Sequence, residues 1–123
     1  MRALVIDDSK AMRLILGRFL KAAGFEVREA IHGRDALTQL TEHGIVDLAL
    51  VDWNMPEMSG IEFVQAIRAD QAYVDMKLMM VTTESELGRV ETALAAGADE
   101  YVMKPFTSDV LRDKLAMLGL VTT

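Results

Sequence analysis

Five polar side chains in this 123-residue chain each follow a short candidate strand: Asp7 and Asp8 follow 3–6, Asp52 follows 46–51, Thr82 follows 77–81 and Lys104 follows 99–103. In a parallel sheet the C-terminal ends of such runs share one edge, where ligands bind. Three carboxylates gathered there oppose one another's ionisation, and a cation relieves the repulsion. With oxygen donors only and no cysteine in the chain, the fitting ion is magnesium or manganese, which keeps waters and an open position for a phosphate oxygen. Lys104 adds a second positive charge. A metal and an ammonium together stabilise the equatorial oxygens of a phosphoryl group in transfer, and a carboxylate can accept that group covalently. Asp52, flanked by the acids of the first run and the lysine of the fifth, is the candidate nucleophile, and Thr82 is the hydroxyl placed to donate to the new phosphate.

The elements that would position these groups are legible from pattern. The run 46–51 is short, apolar and β-prone, the signature of a strand buried on both faces, and Pro56 stops it from continuing beyond the acid. Met12, Ile15, Leu16, Phe19 and Leu20 mark one face of a helix that Asp8 or Ser9 can cap and Gly24 can end. Residues 25–30 alternate, with Phe25 and Val27 against Glu26 and Arg28, which suggests an edge strand. A second helix over 33–42 carries Ala36, Leu37 and Leu40 and closes at Gly44. Ser59-Gly60-Ile61-Glu62 has the capping-box spacing ahead of Ile61, Val64 and Ile67. A loop over 70–75, a strand over 77–81, a helix over 85–96 with Leu87, Val90 and Leu94 inward, a strand over 99–103 and a helix begun by Thr107 with Leu111, Leu115 and Leu118 complete the chain. Five strand-then-helix units with short connections make an α/β protein with a parallel sheet covered on both faces.

Bulk composition narrows the function classes. Thirteen basic and nineteen acidic residues give a net charge of −6 with no basic stretch, so direct nucleic-acid binding lacks an electrostatic basis. The absence of cysteine excludes disulfides, thiolate metal sites and cysteine nucleophiles. No run approaches a membrane span or the apolar core of a signal peptide, so a cytoplasmic location is expected. The length suits one domain over 1–123 with no output domain.

Asp7-Asp8, Asp52-Trp53-Asn54-Met55-Pro56, Val81-Thr82, Tyr101 and Lys104-Pro105-Phe106 together resemble the receiver domains of bacterial two-component response regulators, over roughly 2–119. The single-domain chemotaxis regulators are the most similar form. Each motif alone is weak, but the ordered set at strand ends is specific. The resemblance implies a doubly wound, flavodoxin-like (βα)5 domain with strand order 2-1-3-4-5, and a phosphoacceptor switch rather than an enzyme. It implies that Asp52 takes a phosphoryl group from a sensor histidine kinase or phosphotransfer protein. Magnesium would be held by Asp8, Asp52 and the backbone carbonyl of Asn54, with Asp7 acting through water. Lys104, before a cis peptide at Pro105, would contact the phosphoryl oxygens. Thr82 would move toward the phosphate and Tyr101 would swing inward. That would change the surface of helix 85–96, strand 99–103 and helix 107–118 for a downstream protein such as a flagellar switch, with the chain itself a monomer. Two departures stand out: Thr83 is β-branched where the family commonly has a small residue, and His32 stands where Asn or Asp is frequent.

Other readings compete. A receiver belonging to a longer DNA-binding regulator would carry the same motifs. A haloacid-dehalogenase-type phosphatase needs a carboxylate two residues beyond its nucleophile, where this chain has Asn54. A flavin binder needs a hydroxyl- and glycine-rich loop after the first strand, which is missing. Residue by residue, Asp8 doubles as a helix cap, Trp53 reads as a partly exposed neighbour of the site, and His32 and His43 as surface residues. Glu84 reads as a solvated loop acid or as a group acting on a hydrolytic water. The methionines mostly fill the core.

Overall fold

The computed structural model describes residues 1–121. Five parallel strands, β1 (Arg2–Ile6), β2 (Glu26–Ala30), β3 (Leu48–Asp52), β4 (Lys77–Thr82) and β5 (Glu100–Met103), form one sheet in the order β2-β1-β3-β4-β5. Between and after them lie α1 (Lys10–Ala22), α2 (Gly33–His43), α3 (Gly60–Arg68), α4 (Val90–Ala96) and α5 (Ser108–Met117). Short 3-10 turns occupy Gln71–Tyr73 and Glu84–Arg89.

Strands that read as unbroken apolar runs do so because both faces are covered. Ala3 and Val5 of β1 and Leu48 and Leu50 of β3 pack with Leu16, Leu20, Leu111 and Leu115 of α1 and α5. Leu4, Ile6, Ala49 and Val51 point the other way, into Ala36, Leu40, Phe63, Val64, Ile67 and Ala93 of α2, α3 and α4. The alternation of side chains along a strand therefore divides one sequence run between two cores. β2 is the edge strand that its mixed polarity predicted.

Local signals hold at the helix ends. Ser9 caps α1 and Thr107 caps α5. Ser59 and Glu62 make the reciprocal bonds of a capping box at α3, and Gly24 and Gly44 adopt positive φ. Two apolar positions differ from the pattern. Ile15 is 44% exposed, because α1 buries the narrower row Leu16, Gly17 and Leu20; Ile15 instead lines an open apolar cleft of about 380 Å3 with Met12, Phe19, Lys104, Pro105 and Phe106. Leu94 is 41% exposed. The chain enters α4 through a 3-10 turn rather than an α-helical one, and within α4 the buried positions are Val90 and Ala93. The side chains of Leu87 and Glu84 lie outside the described residues.

Candidate phosphorylation site

The strand order places the switch point at β1 and β3: the chain leaves β1 toward β2 on one side and returns to β3 on the other. A crevice opens above such a point at the C-terminal strand ends. Register fixes what lines it. Ile6 is level with Val51, Asp52 with Val81, and Thr82 with Met103, so Asp7, Asp52, Thr82 and Lys104 emerge within one layer of the rim. Close approach of α3 completes the wall. A methyl group on Gly60 would collide with the Asp52 carbonyl oxygen, which is why only glycine fits there.

Asp7, Asp8 and Asp52 each present an oxygen within 4.8 Å of the others, with Asp7 buried, Asp52 half-buried and Asp8 exposed. Lys104 Nζ lies 3.6 Å from Asp52 Oδ1 and 3.9 Å from Asp7 Oδ2, too far for strong hydrogen bonds. Asp7 is 2% exposed; its Oδ1 accepts the Ser9 N–H at 2.8 Å, while its Oδ2 and the buried Thr82 Oγ1 have no hydrogen-bond partner. Buried polar atoms are nearly always satisfied. Two such orphans at the C-terminal ends of β1 and β4 mark a place arranged for something else to bind.

Electrostatics agree. Burial first, opposed by the Ser9 N–H and the Lys104 charge, raises the Asp7 carboxyl above its usual range. Burial and then the Asp7 charge push Asp52 up to about 6, with Lys104 pulling it back. One ammonium does not balance three carboxylates. An oxygen-only cluster with an unsatisfied buried oxygen fits a hard divalent cation.

Lys104 precedes a cis peptide at Pro105. Tyr101 is half-buried, with Lys114 Nζ 4.6 Å above its ring, and Lys114 also reaches Glu100 at 3.1 Å. Trp53 is a correction: it is 5% exposed and part of the core, with the Arg89 guanidinium 6.0 Å from its ring centre. His32 is another. Its Nδ1 accepts the Asp35 N–H as the α2 cap, and its Nε2 meets Glu57 at 3.0 Å, so it braces the loop after β3 instead of lying free on the surface. His43 is exposed, as expected.

Pattern reading missed Glu86. It is 8% exposed, accepts Asn54 Nδ2 at 2.6 Å through one oxygen, and through the other accepts the Thr83 N–H at 2.9 Å and the Thr83 hydroxyl at 3.0 Å. Its only sequence signal is a carboxylate three residues after Thr83, the spacing of a helix-start cap.

A doubly wound sheet with an acidic trio, a hydroxyl and a lysine at its switch point defines a class of signalling domain. Comparison with known proteins then identifies it: residues 3–116 match the response regulator receiver domain model, and the chain belongs to that family. It is 47% identical over 116 residues to a chemotaxis protein CheY homolog of Campylobacter jejuni, covering 94% of this chain and 89% of that protein. It is 42% identical over 119 residues to chemotaxis protein CheY1 of Helicobacter pylori, covering 96% of each. Among solved structures it is similar to the chemotaxis response regulator CheY4 of Vibrio cholerae, at 34% identity and a TM-score of 0.86, covering 95% of this chain and 97% of that one. Domains of this kind are signalling switches and not classical enzymes, and a receiver implies a histidine kinase or phosphotransfer partner. No helix among the described residues is long and apolar enough to cross a membrane.

Proposed function

We propose that the chain is a magnesium-dependent phosphoacceptor of a two-component pathway in the cytoplasm, signalling by altered protein binding, with motor control in chemotaxis as its setting. The observation that carries this is the pairing of an acidic trio within 4.8 Å with two buried oxygens, Asp7 Oδ2 and Thr82 Oγ1, that lack partners. The names of its relatives support the chemotaxis setting.

In this reading an Asp52 oxygen attacks the phosphorus of a phosphohistidine, the P–N bond breaks, and the electron pair leaves on the imidazole. Asp8, Asp52 and the Asn54 carbonyl would hold magnesium, or manganese, with Asp7 acting through water. The ion supplies charge neutralisation for the phosphoryl oxygens. Lys104, already 3.6 Å from Asp52, pairs with those oxygens once they arrive. Thr82 brings its spare hydroxyl to the phosphoryl group and vacates space at the tip of β4, into which half-buried Tyr101 turns. The face of α4, β5 and α5 changes accordingly, and it is the face offered to the downstream protein. The same groups assist both gain and loss of phosphate.

With acetyl phosphate and magnesium, intact-mass analysis should show one added phosphoryl group, absent in Asp52→Asn. Labelling that persists in Asp52→Asn would move the acceptor elsewhere.

A further inference from the structure

Glu86 has no part in the mechanism above, yet it is a carboxylate buried at the rim with three hydrogen bonds. Its bond to the Thr83 N–H alone would be an ordinary cap on the 3-10 turn that follows. A cap does not explain why the second oxygen crosses 32 residues of sequence to hold Asn54 at 2.6 Å. Asn54 belongs to the loop that follows Asp52, and Thr83 is the residue after Thr82. One carboxylate thus ties together the two loops that flank the phosphoacceptor. It also fixes the Asn54 amide, since only the NH2 group can donate to a carboxylate.

We infer that Glu86 is a positioning residue that holds the rim in its unphosphorylated arrangement and so sets how readily Thr82 reaches the phosphoryl group. This rests on the phosphoacceptor reading above. Thr82 and Thr83 share a peptide unit, so carrying Thr82 toward Asp52 draws the Thr83 N–H and hydroxyl off Glu86. Contacts made in one state and given up in the other bias the equilibrium toward the first, by no more than their own free energy. Removing them favours the phosphorylated arrangement.

The test uses the full chain with magnesium and beryllium fluoride as the phosphate mimic, followed by the fluorescence of Trp53, the single tryptophan. Glu86→Ala should bind the mimic about three- to tenfold more tightly than the parent protein, the scale of one or two hydrogen bonds. Thr83→Val keeps its shape and its N–H but loses the hydroxyl bond, and should shift the midpoint in the same direction by a smaller factor. Glu86→Gln, which holds both loops only if Asn54 flips, should fall between Glu86→Ala and the parent. A purely structural Glu86 would lower the urea midpoint while leaving the mimic midpoint in place, and that result overturns the proposal, as does weaker binding in Glu86→Ala. No response to the mimic in the parent protein would overturn the phosphoacceptor reading and the tie with it, whereas equal midpoints overturn the tie alone.

Discussion

Opposite ends of the same sheet treat charge in opposite ways. At the N-terminal edge, Arg68 from the end of α3 donates to the carbonyls of Gly97, Tyr73 and Met76 at 2.7 to 3.0 Å and to Asp99 at 2.8 Å. Asp99 in turn accepts the Leu78 N–H at 2.8 Å. All three guanidinium nitrogens of Arg68 have close acceptors, and the cluster fastens α3 to the starts of β4 and β5. At the C-terminal edge, Lys104 stands 3.6 and 3.9 Å from two carboxylates, and one oxygen of Asp7 and the Thr82 hydroxyl are buried without partners. A satisfied polar cluster stabilises; an unsatisfied one raises the energy of the empty fold and lowers it again when a ligand arrives. The contrast separates a structural end from a functional one more sharply than burial or charge counts do.

The largest effect that would break the comparison is at the structural end. Arg68→Ala leaves four acceptors without their donor and should cost about 2–3 kcal/mol in urea unfolding, while magnesium still perturbs Trp53 fluorescence at an unchanged midpoint. Loss of magnesium binding in that variant would mean the two ends are coupled. Next comes the opposite sign at the rim. Asp7→Asn keeps an oxygen for the Ser9 N–H but removes a buried, poorly compensated charge, so in metal-free buffer it should gain about 1–2 kcal/mol. Magnesium should then bind more weakly. A destabilised Asp7→Asn would show that Lys104 already compensates the cluster.

The smallest effect sharpens the picture through pH. Asp52 has its carboxyl raised from 3.8 to about 6 in the folded protein, so between those values the native state holds a proton that the unfolded chain has lost. Stability is then fully present below the lower value and declines as pH rises through the upper one. In metal-free buffer the fall should be on the order of 1 kcal/mol, allowing for solvent screening, and Asp52→Asn should flatten it. Unfolding midpoints from pH 4 to 7 read this directly. An unchanged slope in Asp52→Asn would assign the titration to another group.

The residues of the candidate site were legible because each follows a short strand pattern, and parallel topology alone brings strand ends to a common edge. Asp7, Asp8, Asp52, Thr82 and Lys104 needed only strand identity and direction to be assembled. Helix caps at Ser9, Ser59 and Thr107 were equally local. In α4 periodicity misplaced Leu94, because the short helix buries Val90 and Ala93 instead.

What the sequence determined by itself was therefore the set of elements and the list of groups at their ends, since both follow from patterns only a few residues long. Tertiary structure decided the rest: the burial of Trp53, the His32–Glu57 brace, the Arg68 clamp and the reach of Glu86 to Asn54. Each depends on two segments distant in the chain arriving within hydrogen-bonding or packing distance. No local pattern encodes such meetings, because their geometry is set by how helices pack on the sheet.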